Sequence, residues 1–342
     1  MTGDDLFLDF DLPEELIAQS GVEPRDASRL LVFDRANSAI DDRVFSDLPQ
    51  LLDPGDVLVV NDSRVVPARL IARRASGGRV ELLLLERQSG TVWEALARPL
   101  SRLRPGEMLE IVSSDDTDSG RVVLFAGRTD SLAIIDLIDE SILDELGRIP
   151  LPPYIRDGLE DGSRYQTVYS DAAGSAAAPT AGLHFTPQLL ERCRERGIDV
   201  RKLTLHVGID TFRPLEHDYP AQHAMHSEWF SVPMETWAAV LEARREGRRV
   251  VGVGTTVTRV LETLGDADWP EGRLTGRTDI FIRPPFEFRV VGAQITNFHL
   301  PRTTLLLLVG AFTGSASLRR AYEHAVTHGY RFYSFGDAML IV

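Results

Sequence analysis

The residues best suited to proton transfer are concentrated in the second half of the chain. All eight histidines lie beyond residue 183, and their densest cluster is the segment HAMHSEW, with His223, His226 and Glu228. If HSEWFSVP forms a strand, His226 and Glu228 point to the same face, because side chains alternate along a strand. That arrangement indicates an acid and base pair or a hydrogen-bonding pair.

The same cluster also resembles a metal site of the pattern H-x-x-H-x-E. On a helix, His223 and His226 share a face and Glu228 points elsewhere, whereas on a strand His223 opposes the other two. The sequence contains no second ligand pair such as H-E-x-x-H. We therefore expect no metal at this cluster.

Three further histidines follow apolar residues. They are His184 in TAGLHF, His206 in LTLHVG and His299 in TNFHLP, where Asn297 precedes it by two positions. Pro301 predicts that a buried helix begins close to His299, because its ring fixes a helical φ angle. Each of these imidazoles fits either a packed core or a functional site.

The segment VVGVGTTVTRVLE predicts a strand, a glycine turn and the start of a helix. Thr255 or Thr256 would cap the helix, whose free N–H groups would face an anionic or carbonyl ligand, and Arg259 would lie one turn further on. The third glycine and the phosphate lysine of nucleotide-binding loops are absent. We interpret the turn as a carboxylate pocket.

The elements that would position these residues indicate a mixed α/β fold interrupted by a β-rich segment. Strands and helices alternate in the first sixty residues and again after Pro150, while short strands follow one another between them. We predict a discontinuous α/β catalytic domain, residues 1–61 and 150–342, and an inserted β-barrel domain, residues 62–149.

Composition excludes several classes of protein. Apolar residues make up 43% and charged residues 26% of the 342 residues, which is typical of a globular protein. The longest apolar run, 305–312, is too short to cross a bilayer, and the acidic N-terminus lacks the features of a secretory signal. We therefore expect a cytoplasmic protein without a membrane partner. The single cysteine, Cys193, follows Leu189 by four positions and should lie in the core.

The charge is unevenly distributed. The net charge of −14 disfavours nonspecific coating of nucleic acid, yet residues 60–105 hold nine arginines against four acidic residues. These arginines either cover a solvated strand surface or form a local phosphate-binding face. They are Arg64, Arg69, Arg73, Arg74, Arg79, Arg87, Arg98, Arg102 and Arg104.

Nine ordered segments, almost from end to end, resemble one family, the S-adenosylmethionine:tRNA ribosyltransferase-isomerases of queuosine biosynthesis. The resemblance implies transfer and isomerisation of the ribosyl group of S-adenosylmethionine onto the aminomethyl-deazaguanine (preQ1) base of tRNA, giving epoxyqueuosine, adenine and methionine. It also implies an α/β domain with an inserted barrel, no metal or prosthetic group, and a monomer. The segments are NDSRVVPARL, PLPPYI, YQTVY, APTAGLHFT, LHVGIDTFRP, HAMHSEW, VGVGTTVTRVLE, TNFHLPRTTLLLLVGAF and FYSFGDAMLI.

The resemblance also suggests site residues. The acid and base should come from a pool of five side chains, with no order assigned among them. Thr255, Thr256, Arg259 and Asn297 are expected at the methionine end of S-adenosylmethionine, while Asp62, Arg64 and His223 are expected to contact the tRNA substrate or the methionine carboxylate. The pool consists of His184, His206, His226, Glu228 and His299.

Four positions depart from the family pattern. Asp210 replaces an expected glycine, Gln222 and Ala224 stand where Glu and Lys are common, and Arg302 replaces a lysine. Arginine keeps the charge and changes its geometry. None of these departures removes a candidate acid or base.

Two other functions compete with this one. A non-catalytic RNA-binding module would use the arginine-rich barrel and keep its RNA affinity when His226 is mutated. A metal-dependent hydrolase would use His223, His226 and Glu228, and would contain stoichiometric metal.

Overall fold

The computed structural model describes residues 9–113, 115–129, 131–152, 154–156, 161–208, 227–265 and 274–342. The chain divides into two compact units. The first consists of Met1–Arg64, Pro153–Ala172 and Ala178–Val342, and the second of Val65–Pro152 and Ala173–Ala177. The sequence prediction places the inserted domain at residues 62–149.

Strands and helices alternate along the first unit, and strands dominate the second. The strands are β1 (Arg29–Phe33), β2 (Ile40–Val44), β3 (Val57–Asn61), β4 (Ser63–Val65), β5 (Arg69–Arg74), β6 (Arg79–Ser89), β7 (Val92–Arg98), β8 (Glu107–Val112), β9 (Asp118–Arg128), β10 (Ala133–Asp136), β11 (Ala172–Ser175), β12 (Asp199–Leu205), β13 (Glu228–Val232), β14 (Val250–Val253), β15 (Leu274–Thr278), β16 (Ala293–Asn297) and β17 (Ala338–Ile341). The helices are α1 (Leu48–Leu51), α2 (Ser141–Leu146), α3 (Pro187–Glu195), α4 (Met234–Arg245), α5 (Thr255–Gly265), α6 (Thr304–Thr313) and α7 (Ser315–Thr327).

A nine-stranded mixed sheet forms the centre of the first unit. Its order is β15-β13-β12-β3-β14-β16-β17-β1-β2. The neighbours β12, β3, β14 and β16 run parallel to one another, so their carboxyl ends meet at one edge of the sheet. All residues of β3, β14 and β16 are buried, as expected for parallel strands that are covered on both faces.

One face of this sheet packs against α3. The helix begins after Thr186, whose Oγ1 accepts a hydrogen bond from the N–H of Leu189 at 3.1 Å, and Pro187 occupies its first turn. Its apolar side, Leu189 and Cys193, enters the core formed by Leu58 and Val251 of the sheet. Cys193 is fully buried, which confirms the prediction from its spacing.

The second unit contains a closed antiparallel barrel with the strand order β10-β7-β6-β5-β8-β9. Alternate residues of β6, Val80, Leu82 and Leu84, are buried in its core, while Glu81 points outward. The predicted fold class, a mixed α/β unit with an inserted barrel, is therefore confirmed.

No helix in the part of the chain that the structure describes is long and apolar enough to cross a membrane.

Candidate active site

A pocket lies at the edge of the first unit's sheet where β14 and β16 end. In open α/β sheets, ligands typically bind in the crevice outside the carboxyl ends of parallel strands. The pocket is lined by Ala178, Pro179, Thr180, Ala181, Val207, Gly254, Thr255, Thr256, Thr296, Asn297, His299, Leu300, Thr303, Leu305, Tyr333 and Ser334.

The start of α5 forms one wall of this pocket. Gly254 makes the turn from β14 with a φ of +89°, a left-handed conformation that residues with a side chain rarely adopt. Thr255 and Thr256 follow it, and both are buried. The Oγ1 of Thr256 has no hydrogen-bond partner among the described residues. The first N–H groups of a helix also lack partners within the helix, so this wall presents donors to an anion.

Asn297, the last residue of β16, also lines the pocket. Its Nδ2 donates to the carbonyl oxygen of Tyr333 at 2.9 Å and lies 3.3 Å from Nε2 of His184. These contacts fix the orientation of the amide. Its Oδ1 is buried without a partner within the described residues, and it is therefore an acceptor available to a ligand.

His184 lies behind Asn297 rather than on the pocket wall. Its Nδ1 is 2.8 Å from Oγ of Ser28, its Nε2 faces the amide of Asn297, and its ring stacks on Phe45 at 4.9 Å. Because an amide N–H donates, Nε2 accepts and the ring proton lies on Nδ1. Burial lowers the pKa of His184 to about 3. The imidazole is neutral, and both nitrogens are engaged in holding Asn297 and Ser28.

His299 lines the pocket itself. Its Nε2 lies 2.9 Å from Oγ1 of Thr296, and its backbone N–H donates to the hydroxyl of Tyr322 at 2.9 Å. Burial lowers the pKa of His299 to about 4. The ring is therefore neutral near pH 7, which is the form that accepts a proton.

Glu228 and Arg259 form a buried ion pair. Oε2 of Glu228 accepts from Nη1 of Arg259, and Oε1 accepts from the N–H of Gly208 at 3.0 Å. Nε of Arg259 donates to the carbonyl oxygen of Ile280 at 3.3 Å. Neither side chain of the pair lines the pocket. The pair joins β13 to α5 and fixes the helix whose first turn does line it.

His206 lies next to the pocket-lining Val207 and stacks on Trp229, with ring centroids 4.9 Å apart and planes inclined by 20°. Burial lowers the pKa of His206. Its Nδ1 has no partner among the residues described. His206 is thus a second neutral imidazole near the crevice.

Two of the residues predicted to contact the tRNA or the methionine carboxylate, Asp62 and Arg64, do not line the pocket. Oδ1 of Asp62 accepts from the hydroxyl of Thr204 at 2.7 Å, and burial raises the pKa of Asp62. Arg64 is exposed, as is Arg302, which has a φ of +58°.

Several predicted positions lie outside the described residues. They include two members of the histidine cluster and three of the four departures from the family pattern. Over the ranges that the structure does describe, no group of three potential metal ligands occurs. The proposed metal site depended on His223 and His226, so its absence stays a prediction. The positions concerned are Asp210, Gln222, His223, Ala224 and His226.

Tyr333 and Ser334 are pocket residues that sequence reasoning missed. Tyr333 has a φ of +76°, a conformation that a tyrosine rarely adopts without a functional or packing reason. Its ring meets that of Tyr154 with centroids 3.8 Å apart, and the hydroxyl of Tyr154 contacts Oγ of Ser334. Their segment, FYSFGD, contributes to the family resemblance but contains no residue typical of acid and base chemistry, so only the fold brings it to the site.

Comparison with known proteins shows which family the chain matches. Residues 6–341 match the family described as queuosine biosynthesis protein. The chain is 52% identical over 340 residues to the S-adenosylmethionine:tRNA ribosyltransferase-isomerase of Symbiobacterium thermophilum, covering 98% of each protein. It is 49% identical over 337 residues to the enzyme of the same name from Thermotoga maritima, again covering 98% of each.

A solved structure is also similar. The crystal structure of the S-adenosylmethionine tRNA ribosyltransferase from Thermotoga maritima aligns with a TM-score of 0.58 and 39% sequence identity. The alignment covers 98% of this chain and 100% of that one. Sequence and fold therefore point to the same group of enzymes.

Proposed function

Because the chain belongs to the queuosine biosynthesis family of S-adenosylmethionine:tRNA ribosyltransferase-isomerases, we propose that its acceptor is the preQ1 base of tRNA. S-adenosylmethionine donates the ribosyl group, which is isomerised during transfer. The products are epoxyqueuosine in tRNA, free adenine and free methionine. S-adenosylmethionine is consumed as a substrate, with no prosthetic group, and the protein acts as a cytoplasmic monomer.

The observation that supports the location of the site is a pair of unpartnered polar atoms at one strand edge. Val253 pairs with Ile295, so β14 and β16 end side by side. Oγ1 of Thr256 and Oδ1 of Asn297 lie at this edge of the sheet, and neither has a partner among the described residues. A buried polar atom without a partner costs roughly 1–3 kcal/mol, which a bound ligand would recover.

The amino-acid end of S-adenosylmethionine fits these atoms. Its carboxylate would accept hydrogen bonds from the hydroxyl of Thr256 and from the first N–H groups of α5, where the helix dipole favours an anion. Its ammonium group would donate to Oδ1 of Asn297. Arg259 belongs to this site indirectly, since Glu228 holds it and the pair positions α5.

The reaction needs a base for the proton next to the sulfonium, a donor for the departing adenine, and acceptors for the amine of preQ1. His299 suits the base, because it lines the pocket and burial keeps it neutral. His206 is the second candidate for proton transfer. His184 holds Asn297 in place, and Glu228 holds Arg259. His226 keeps its predicted place in the pool of acids and bases.

The experiment is mass spectrometry of a preQ1-containing tRNA after incubation with the protein, S-adenosylmethionine and a chelator. The proposal expects the base to gain the mass of the epoxide-bearing cyclitol, with adenine and methionine released in equal amounts. If the tRNA is bound but unchanged with and without added metal, the chain acts as an RNA-binding module. If turnover appears only when metal is restored, the hydrolase built on His223, His226 and Glu228 is favoured.

A further inference from the structure

The arginines of the barrel unit fall into two groups. Eight of the nine arginines in residues 60–105 belong to this unit, and five of these eight form ion pairs with neighbouring carboxylates. Arg98, Arg102 and Arg104 form no ion pair and no side-chain hydrogen bond within the described ranges, and all three are exposed. The paired ones are Arg69 with Glu81, Arg73 with Asp118, Arg74 with Glu107, Arg79 with Asp116 and Arg87 with Glu140.

Arg98, Arg102 and Arg104, here called the arginine patch, share one short connection. Arg98 ends β7, and β8 begins at Glu107. No acidic residue lies between these two positions. The three positive charges therefore accumulate over seven residues without an interspersed negative charge.

The connection is anchored to the barrel. Leu103 is buried in the barrel core, and Leu100 packs against the same core. The N–H of Leu103 donates to the carbonyl oxygen of Leu100 at 3.1 Å, and that of Gly106 donates to the carbonyl oxygen of Phe125 at 2.8 Å. The two leucines point inward while the arginines between and around them are exposed, so the cations project from a fixed backbone.

Two acidic residues lie close to the patch, and each forms its ion pair with a different arginine. Glu81 faces Arg98 across the β6–β7 strand pair, but its ion-pair partner is Arg69. Glu107 accepts two hydrogen bonds from Arg74, at 2.6 and 3.0 Å, and one from the backbone N–H of Arg104 at 3.1 Å. Its hydrogen bonds with Arg74 hold the pKa of Glu107 below the usual range. Glu107 is ionised, and Arg74 balances its charge. Arg104 is attracted to Glu107 as well, but none of the three guanidinium groups forms an ion pair within the described residues.

We propose that the arginine patch binds the sugar-phosphate backbone of the tRNA substrate. This inference rests on the proposed function, which supplies an RNA partner. Planar guanidinium groups match phosphate oxygens with two parallel hydrogen bonds, which an ammonium group does not provide. A chain with a net charge of −14 repels polyanions at long range, so RNA binding requires a local concentration of free cations. The arginine patch is such a place.

The test compares two triple variants of the full chain. The first, R98Q/R102Q/R104Q, removes the patch. The second, R73Q/R79Q/R87Q, removes three paired arginines from the same barrel. Both lower the net charge from −14 to −17 (three positive charges removed), so they differ only in which arginines are lost. The measurements are the KM for tRNA, the KM for S-adenosylmethionine and kcat, each at several salt concentrations.

The patch variant should raise the KM for tRNA at least about tenfold, and it should lower the salt slope of tRNA binding by about 2 to 3, since each phosphate contact contributes about 0.7 to 0.9. Its KM for S-adenosylmethionine and its kcat at saturating tRNA should stay within about twofold of the wild type. The control variant should retain the wild-type slope. The single substitution Arg102→Gln should lower the slope by about 0.7 to 0.9 and serves if the triple variant does not fold.

The proposal is overturned if the patch variant and the control have the same KM for tRNA and the same salt slope. It is also overturned if the patch variant changes only kcat or the KM for S-adenosylmethionine. Failure of the proposed function is distinct, because it would appear as a wild-type protein that leaves the tRNA unmodified. The tRNA affinities of the variants can still be compared by filter binding in that case.

Discussion

The buried pair of Glu228 and Arg259 gives the sharpest prediction about stability. Their side chains are only 7% and 5% exposed. Replacing Glu228 with Gln keeps an acceptor for the N–H of Gly208 but leaves the guanidinium of Arg259 without a counter-charge. Removal of one partner from a buried pair costs about 3–5 kcal/mol. Coulomb's law gives a similar magnitude, about 4 kcal/mol for two unit charges 4 Å apart at an effective dielectric constant of 20.

The assay is a double-mutant cycle by urea denaturation, with E228Q, R259M and the double variant. Three of the four tryptophans lie within residues 178–342, so fluorescence reports on the first unit. Each single variant should lose about 3–5 kcal/mol, and the double variant should lose at least about 3 kcal/mol less than the sum of the two. The ion pair would be refuted if E228Q lowered the free energy of unfolding by less than about 1 kcal/mol and its effect simply added to that of R259M. If kcat nevertheless collapsed in such a stable variant, Glu228 would be a catalytic residue rather than the partner that positions Arg259.

Two further predictions concern the core of the first unit. The pKa of His184 is about 3 and that of His299 about 4, against an ordinary 6.5, so the unfolded chain binds more protons between these values. The free energy of unfolding should fall as the pH drops below about 6.5, by up to about 1.4 kcal/mol per pH unit for each histidine. Urea titrations at pH 7 and pH 5 should show that His184→Asn loses one of these two contributions. The same loss of unfolding free energy between the two pH values in the wild type and in His184→Asn would contradict this. A methyl group at Gly336 would lie 2.4 Å from the carbonyl oxygen of Arg331, so Gly336→Ala should lower the free energy of unfolding by about 1–3 kcal/mol. Gly127→Ala is the control and should lower it by nothing, because no atom lies within 4 Å of the added methyl group. Equal urea midpoints for the two variants would contradict this prediction.

The sequence predicted the elements around the site more completely than it predicted the roles of the residues. The strand, turn and helix of VVGVGTTVTRVLE occur as β14, Gly254 and α5, because a buried apolar run followed by glycine and threonine leaves few local alternatives. The fold class followed from the same kind of local pattern.

The partners of the charged and polar side chains could not be predicted in this way. Glu228 and Arg259 are 31 positions apart, and His184 and Asn297 are 113 apart. Only strand order brings them together, and it decides that Glu228 meets a cation and that His184 has no free nitrogen. Tyr333 was missed for the same reason, since a left-handed backbone conformation at a tyrosine leaves no trace in residue type or spacing.

The division of the arginines likewise depends on the tertiary structure. The sequence left a solvated surface and a phosphate-binding face as equal alternatives for residues 60–105. Glu107 neutralises Arg74 and Glu81 pairs with Arg69, whereas Arg98, Arg102 and Arg104 form no ion pair within the described barrel residues. The paired arginines thus fit the solvated surface, and the phosphate-binding face is our proposal for the arginine patch alone.

The most direct test of the site is the KM for S-adenosylmethionine in Thr256→Val, with Thr258→Val as its matched control. Both threonines are buried in α5, but Oγ1 of Thr258 bonds to the carbonyl oxygen of Gly254 at 3.3 Å and lies outside the pocket lining. A hydrogen bond to a charged group contributes about 1.5–3 kcal/mol, so Thr256→Val should raise this KM by about 10- to 150-fold while Thr258→Val leaves it within about twofold. An unchanged KM in a folded Thr256→Val variant would contradict the placement of S-adenosylmethionine at the start of α5.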